Sequence, residues 1–282
     1  MRLFLLAALT MTAFAANSVL NRAALAEDLI GPGAFAALRL GSGALALWLL
    51  VTLARGVPPA LRRSGQALQT LALALYMLGF SYAYVTLDAG VGALILFGGV
   101  QVTMFAGALL AREATGARRI AGAVLAFGGL VVLLWPAGPV PPLPPAATGL
   151  MLAAALGWGV YSLAGRRASD PLAATAANFV LATPLALAVL LLWPDTVAAT
   201  PQGVALAIIS GVITSGLGYA LWYAVLPRLS ASGAGVAQLS VPLIAAAGGF
   251  ALLAEVPDAR FWLAASLVLG GVALALWRAG RP

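Results

Sequence analysis

The sequence predicts an all-α polytopic membrane protein. Of its 282 residues, 63% are hydrophobic and only 8% are charged, whereas soluble domains are about 45–50% apolar and about 25% charged. A soluble fold could not hide this much apolar surface, because a folded chain still exposes roughly a quarter or more of its extended area. The apolar residues also form stretches of about 20, the length of a membrane-spanning helix. Strands of a membrane barrel would be about ten residues long and would alternate apolar with polar.

Charged and glycine- or proline-containing breaks delimit five predicted spans in the first half, at 3–25, 32–54, 66–87, 89–111 and 117–135. The first follows Arg2, and its apolar run also resembles a secretory signal peptide. Because that run continues through Leu25, we expect it to be retained as a helix. The second begins at Pro32, a residue that suits the first helical turn. The fourth follows Asp88, and basic residues precede the third and fifth.

Five further spans are predicted in the second half, at 147–165, 171–193, 203–226, 231–254 and 259–277. Pro171 marks a helix start, while Asp195, Arg228 and Glu255 fall in the breaks that follow. Between the halves, residues 136–145 contain six prolines and no charge, which is typical of a semi-rigid linker. The sequence therefore divides into a first five-helix unit at 1–136, an external linker at 137–146 and a second five-helix unit at 147–282.

The loop charges predict the orientation. If the loops alternate sides, twelve arginines share the side of the N-terminus and two lie opposite. Positive charge is enriched in cytoplasmic loops, so both termini are expected in the cytoplasm. The twelve are Arg2, Arg55, Arg62, Arg63, Arg112, Arg118, Arg119, Arg166, Arg167, Arg228, Arg278 and Arg281, and the two are Arg22 and Arg260.

An internal repeat indicates that the halves are related. Residues 107–135 align without gaps to 249–277, with eleven of 29 pairs identical, including Glu113 with Glu255 and Trp135 with Trp277. Because each half has an odd number of spans, the second half would be inverted relative to the first. Inverted repeats are typical of secondary transporters, whose substrate site lies near the midplane between the halves.

Several motifs in the second half of the chain resemble those of a known family. The motif from Thr214 to Tyr223 (TSGLGYALWY), followed by Pro242, Glu255 and Gly270-Gly271, is similar to the second-repeat pattern of EamA-type permeases of the drug/metabolite transporter superfamily. The pair Trp158 and Tyr161 also resembles the aromatic amino-acid exporter of that superfamily. The first repeat departs from the pattern, because its fourth span has Gly98-Gly99 where the family has a proline.

The residue inventory argues against catalysis and against bound cofactors. The chain has no Cys, His or Lys, and none of its eight acids lies in the middle of a predicted span. Thiolate chemistry, imidazole relays and the usual ligands of structural zinc are therefore lacking. We expect no enzyme activity, no metal and no cofactor. The excess of arginine is concentrated at the ends of the predicted spans, so it does not indicate nucleic-acid binding.

Polar and aromatic groups in the middle of spans are the candidate substrate-binding residues. An unpartnered polar group facing lipid costs several kcal/mol, so these side chains should face protein or water. The alternative role is ordinary interhelical hydrogen bonding. The candidates are Asn17, Tyr76, Tyr82, Gln101, Trp158, Tyr161, Tyr219, Trp222, Gln238 and Ser240.

Four further positions have other candidate roles. Arg39 is a charge within a span, about 10 Å from the outer surface, and it could line an outer vestibule and attract a substrate carboxylate. Capping of carbonyls or snorkelling outward is the alternative. Pro242 is a candidate kink, and Gly98 and Gly99 are candidate hinge or close-packing positions.

Together with the resemblance, these features predict an alternating-access exporter of small organic metabolites in the bacterial inner membrane. Amino acids, including hydrophobic and aromatic ones, are the expected substrates, moved by facilitated transport. A drug or nucleotide-sugar carrier and a non-transporting scaffold are the alternatives. The fifth and tenth spans have few polar groups, and they are expected either to face lipid or to form a homodimer contact.

Overall fold

The computed structural model describes residues 2–61, 65–110, 116–135, 142–165, 169–225, 238 and 240–276. Each of the ten predicted spans has a helix within these residues. The helices are α1 (Arg2–Ala26), α2 (Pro32–Arg55), α3 (Gln66–Ala83), α4 (Ala89–Leu110), α5 (Ala117–Leu134), α6 (Pro145–Gly165), α7 (Pro171–Leu192), α8 (Pro201–Ile209, Ser210–Leu217 and Gly218–Val225), α9 (Ser240–Leu253) and α10 (Ala259–Leu276).

Hydropathy separates the helices into two groups. Five stretches are long and apolar enough to cross a membrane, at Pro32–Arg55, Ala89–Gly107, Pro145–Gly165, Pro171–Leu192 and Pro201–Trp222. Shorter apolar stretches lie in α5, α9 and α10. The helices α1 and α3 carry polar residues such as Asn21, Arg22 and Gln69, which lower their hydropathy.

Helix starts follow local chemistry. Pro32, Pro171 and Pro201 stand in the first turns of α2, α7 and α8, where a missing N–H costs nothing. The Asp170 carboxylate accepts a hydrogen bond from the Ala173 N–H at 3.1 Å. Such caps satisfy backbone donors that the first helical turn leaves free.

Two acids connect α2 and α7 at both ends. The Asp195 carboxylate, after α7, accepts hydrogen bonds from Gly33 N at 3.1 Å and Ala34 N at 2.7 Å in the first turn of α2. At the opposite end, Arg55 of α2 forms an ion pair with Asp170 at the start of α7. The central pair of helices is thereby fixed in register.

Most of the helix packing joins the two halves of the chain. In addition to α2 with α7, α3 packs on α6 and α7, α4 on α6 and α9, α1 on α8 and α9, and α2 on α8. The helices α5 and α10 pack against each other and leave Phe127, Val131 and Leu263 exposed. The buried core therefore lies between the halves, where α1, α3, α4, α6 and α8 meet.

Two helices contain local irregularities. The middle of α8, Ser210–Leu217, is π-helical, and α7 contains Pro184 in its interior. The helix α4 runs unbroken through Gly98 and Gly99. Pro242 lies near the start of α9 as described, and residues 226–237 and 239, which would extend that span, are outside the described residues.

Candidate functional site

A small cavity lies in the interior between the two halves. Its volume is about 20 Å³, enough for about one water molecule. Each lining residue is at most 8% exposed, so the cavity is enclosed by the helices rather than by surface loops. The lining residues are Phe14, Asn17, Ser18, Tyr76, Phe80, Leu96, Phe97, Trp158, Thr214 and Tyr219.

Aromatic rings from three helices form one wall of this cavity. The Trp158 ring centroid lies 4.9 Å from that of Tyr76, 5.1 Å from Tyr219 and 5.7 Å from Tyr161, on which it stacks. Tyr161 is not among the lining residues; it stacks behind Trp158, and its hydroxyl donates to Thr175 Oγ1 at 3.0 Å. Such ring contacts stabilise the wall beyond simple burial. The wall offers several aromatic faces to an apolar solute.

Phe14 of α1 connects this wall to the end of α8. Its ring lies 5.9 Å from Tyr219 and 6.0 Å from Trp222, with edge-to-face geometry. Trp222 is buried but is not among the residues that line the cavity. It supports the wall from behind.

Hydroxyl groups of the π-helical segment converge on Asn17. Ser210 Oγ donates to Asn17 Oδ1 at 2.7 Å, and Thr214 Oγ1 lies 3.0 Å from the same oxygen. Asn21, one turn further along α1, accepts a hydrogen bond from Ser81 Oγ at 3.1 Å. A π-helical turn changes which side chains face the same side of a helix and is frequent at functional sites. Here it brings Ser210 and Thr214 to one amide.

Arg39 is fully buried and does not snorkel to the surface. Its Nε donates to Ser215 Oγ at 2.9 Å, and its Nη2 donates to the Tyr76 hydroxyl at 3.2 Å. Its Cζ lies 5.0 Å from the centre of the Phe80 ring and 5.5 Å from that of Tyr76. The guanidinium therefore lies directly behind two residues of the cavity wall.

Four of the candidate residues lie away from the cavity. Tyr82 points toward the first turn of α2, where its hydroxyl is near Gly33. Gln101, Gln238 and Ser240 are half-buried and do not line this cavity. Position along a predicted span gave their depth in the membrane but not the side of the helix on which they lie.

The sequence analysis missed several lining residues. Phe14, Phe80, Leu96 and Phe97 are apolar, and their sequence signal is the same as that of lipid-facing or core residues. Thr214 could have been found, because it begins the TSGLGYALWY motif that sequence analysis singles out. Its contact with Asn17 depends on the π-helical turn, which has no recognisable sequence signal here.

A second polar cluster lies at the opposite end of α1 from the N-terminus. Arg22 Nε donates to Glu255 Oε1 at 2.8 Å, and Glu255 Oε2 accepts from the Ala89 N–H at 2.7 Å. Arg22 also lies 3.7 Å from Asp88 and donates to the Val85 carbonyl at 2.8 Å. Burial raises the pKa of Glu255, which outweighs the opposing effect of its hydrogen bond from Arg22. This cluster connects α1, the start of α4 and the loop after α9.

Comparison with known proteins assigns the class. The helices and their apolar stretches define a multi-pass membrane protein, and residues 146–277 match the EamA-like transporter family. The chain is 47% identical over 275 residues to the uncharacterized protein PA1977 of Pseudomonas aeruginosa, covering 98% of this chain and 94% of that protein. The second half of the chain therefore contains an EamA-like transporter domain, which belongs to the drug/metabolite transporter superfamily.

The fold also recurs in a solved protein structure. That crystal structure aligns with 95% of this chain, and the alignment covers 96% of its own chain, with a TM-score of 0.66 and 20% sequence identity. At this identity the similarity concerns the fold alone. The matched family is a family of transporters and not of enzymes. Among the described residues, no group of three or more acids could hold a metal ion.

Proposed function

We propose that this protein is a secondary transporter that exports small organic metabolites across the bacterial inner membrane by alternating access. Amino acids, including hydrophobic and aromatic ones, are the proposed substrates. The observation that carries the proposal is the interior cavity, because it is built by both halves and combines aromatic faces with an amide and hydroxyls. Binding sites for small solutes commonly combine an apolar wall with a few polar groups in this way.

The contacts between the halves support the proposed inverted repeat. Exchanging the first and second halves converts the α3–α6 contact into α8–α1, and the α4–α6 contact into α9–α1. The α2–α7 and α5–α10 contacts convert into themselves. This pattern is expected for two halves related by a two-fold axis in the membrane plane. Rocking of one half against the other would then expose the cavity to each side in turn.

The cavity volume implies that this movement is required for binding. A volume of about 20 Å³ holds about one water molecule, whereas solute pockets span hundreds of Å³. Tyr76, Trp158 and Tyr219 must therefore separate before an amino acid can enter. The structure corresponds to a collapsed state of the proposed transport cycle.

Facilitated transport is the proposed mechanism, with the gradient of the solute as the driving force. Every described acid lies outside the helices, at Glu27, Asp28, Asp88, Asp170, Asp195, Glu255 and Asp258. Glu113 lies outside the described residues. Proton-coupled carriers usually hold a titratable acid or imidazole on the pathway, and neither is among the residues that line this cavity.

The residues that line the cavity also help to distinguish the proposed function from a nucleotide-sugar carrier, a drug carrier and a scaffold. A nucleotide-sugar carrier would need several cations around its phosphates, and the ten residues lining this cavity include no cation. A drug carrier differs only in its solute, and a scaffold would not need an interior cavity. The proposed homodimer would use the exposed outer faces of α5 and α10, because their inner faces contact each other.

Counterflow in proteoliposomes tests the proposal. Vesicles loaded with unlabelled L-tryptophan or L-leucine should accumulate the labelled solute transiently, and a panel of competing amino acids and nucleotide sugars should define its range. Uptake should not require an imposed pH gradient. Absence of counterflow for every solute, or uptake only with a gradient, would contradict the export proposal or the facilitated mechanism, respectively.

A further inference from the structure

The charge of Arg39 is not balanced by a carboxylate within the described chain. The ion pairs between described residues involve Arg22, Arg55 and Arg260. Arg39 is instead surrounded by two hydroxyl groups and two aromatic rings, and its Nη1 has no hydrogen-bond partner among the described residues. A buried charge without a counter-charge is costly. A ligand that supplied a negative charge would remove that cost.

The hydroxyl groups around Arg39 remain available as hydrogen-bond donors. Tyr76 and Ser215 each accept a hydrogen bond from the guanidinium. Because an arginine donates only and a hydroxyl can both accept and donate, each of these hydroxyls keeps its own proton for another acceptor. Of the two, Tyr76 lines the cavity.

Asn17 presents a second donor to the cavity. Its Oδ1 already accepts from the hydroxyl of Ser210, and the Thr214 hydroxyl is also within reach. These contacts fix the amide orientation, with Oδ1 on the π-helical segment and Nδ2 as the donor end of the amide. Thr214 and Ser215 are neighbours in the π-helical segment, so this segment organises both the Asn17 and the Arg39 contacts.

We propose that this cavity binds the carboxylate of its substrate on Tyr76 and Asn17, with Arg39 behind the wall stabilising the negative charge. Arg39 acts here as a positioning residue, through its hydrogen bond to Tyr76 and through its field. No acid lines the cavity, so no side chain there pairs with a substrate ammonium group. The substrate class is therefore an aromatic or apolar carboxylate, and an amino group is permitted but not required. This inference rests on the proposed transport function and specifies which end of the solute is recognised.

Three probes with one ring system separate the two ends of the solute. L-Tryptophan carries both charged groups, indole-3-propionate carries only the carboxylate, and tryptamine carries only the ammonium. Binding of each probe to the purified full-length chain is measured by calorimetry. We expect both carboxylates to bind at least tenfold more tightly than tryptamine, the size of effect that one hydrogen bond to a charged group gives. Equal or tighter binding of tryptamine would overturn the inference.

Variants then test the positioning role of Arg39. Arg39→Gln should reduce the ratio of indole-3-propionate to tryptamine affinity at least fivefold, and Arg39→Lys should restore most of it. Arg118→Gln is the control, because it removes an exposed arginine at the start of α5, away from the cavity. If folded Arg39→Gln keeps the wild-type ratio, the role is structural only and the proposal is wrong. If Arg39→Gln does not fold, Tyr76→Phe decides, because an unchanged ratio there would equally contradict the proposal.

The outcomes distinguish this inference from the proposed function. Selective binding of the carboxylates without counterflow would support the carboxylate site and contradict export. Counterflow of tryptamine at the rate of tryptophan would support transport and contradict the carboxylate site. If none of the three probes binds and none is transported, both the site and its proposed aromatic substrates are wrong.

Discussion

At the scale of single residues, Gly211 permits the close approach of α8 to α2. A Cβ atom at Gly211 would overlap the Arg39 carbonyl oxygen and the Ser42 hydroxyl, and would lie 3.0 Å from Arg39 Cα. The approach is equally close at Gly43 on the opposing helix, where an added Cβ atom would lie 2.9 Å from the Gly211 carbonyl oxygen. A clash with backbone atoms cannot be relieved by changing a side-chain rotamer. This contact also sets the position of Arg39.

Replacing Gly211 should therefore destabilise the fold. We expect Gly211→Ala to lower the free energy of unfolding by about 1–3 kcal/mol, the usual cost of overpacking a core. The measurement is thermal unfolding of the purified protein in detergent. Gly149→Ala is the control, because a Cβ there would meet nothing within 4 Å and alanine is the better helix former. Equal stability of the two variants would show that α8 can shift away from α2 at little cost.

The candidate residues show what sequence reasoning can supply at this scale. Asn17, Tyr76, Trp158 and Tyr219 were predicted from their depth in apolar stretches, and all four line the cavity. Tyr82 was predicted by the same argument and lies elsewhere. An apolar helix in a membrane protein has no strong polar face that shows which side points to the interior. The depth of a residue alone therefore cannot tell whether its side chain lines the cavity or lies elsewhere. Helix packing, which the sequence does not specify, decides.

At the scale of elements, the Arg22–Glu255 cluster joins segments that are distant in sequence. Glu255 accepts hydrogen bonds from Arg22 at the end of α1 and from the Ala89 N–H at the start of α4. A carboxylate at a helix N-terminus is favoured by the free N–H groups and by the helix dipole. Asp88 adds a second negative charge near Arg22. The cluster holds α1, α4 and the loop before α10 together at one end of the molecule.

This cluster predicts a pH dependence of stability. Burial raises the pKa of Glu255 above its ordinary value of 4.5, so the folded chain binds this proton more readily than the unfolded chain does. The contribution of Glu255 to stability therefore increases as the pH falls toward that value and decreases as the pH rises through the raised pKa. On acidification from pH 7 to pH 5, the melting temperature of the wild type should therefore rise relative to that of Glu255→Gln.

Glu27→Gln is the control for this experiment, because it removes an exposed acid near the end of α1. The Glu27→Gln variant should show the same dependence of melting temperature on pH as the wild type. A wild-type advantage over Glu255→Gln that is constant, or that shrinks on acidification, would contradict the assigned direction.

Helix boundaries were the most predictable elements, and helix irregularities were the least. Pro32, Pro171 and Asp88 mark starts that local chemistry determines, and the structure has helices at those positions. The π-helical turn at Ser210–Leu217 depends on α8 packing against α1 and α2. Pro184 lies in the interior of α7, within the span predicted at 171–193, although an interior proline removes a helix hydrogen bond.

At the scale of the whole molecule, the helices of each half pack mainly on helices of the other. Composition alone predicted a polytopic helical protein, because apolar stretches of membrane-spanning length need no tertiary information. The position of the cavity between the halves followed only from the internal repeat. The volume of the cavity could not be predicted, since it depends on how closely the rings of Tyr76, Trp158 and Tyr219 approach one another.

The inverted arrangement predicts a topology that reporters can test. Reporters fused after Pro282 and inserted in the linker at 137–146 should lie on opposite faces of the membrane, with the C-terminus in the cytoplasm. The arginine distribution motivates this expectation. A second insertion at 57–60, after α2, should report the same face as the C-terminus. If the C-terminal and linker reporters share one face, the ten-span count and the inverted repeat are both wrong.

The central claim is that the interior aromatic cavity is the path of the solute. The most direct measurement is counterflow of L-tryptophan in proteoliposomes containing wild type, Trp158→Ala, Tyr219→Ala or the control Trp193→Ala, whose ring is 77% exposed. We expect the two cavity variants to lose at least 90% of the initial rate, an about tenfold effect that corresponds to about 1.4 kcal/mol, while the control transports normally and all proteins elute as single folded species. Cavity variants that transport at the wild-type rate would contradict the account.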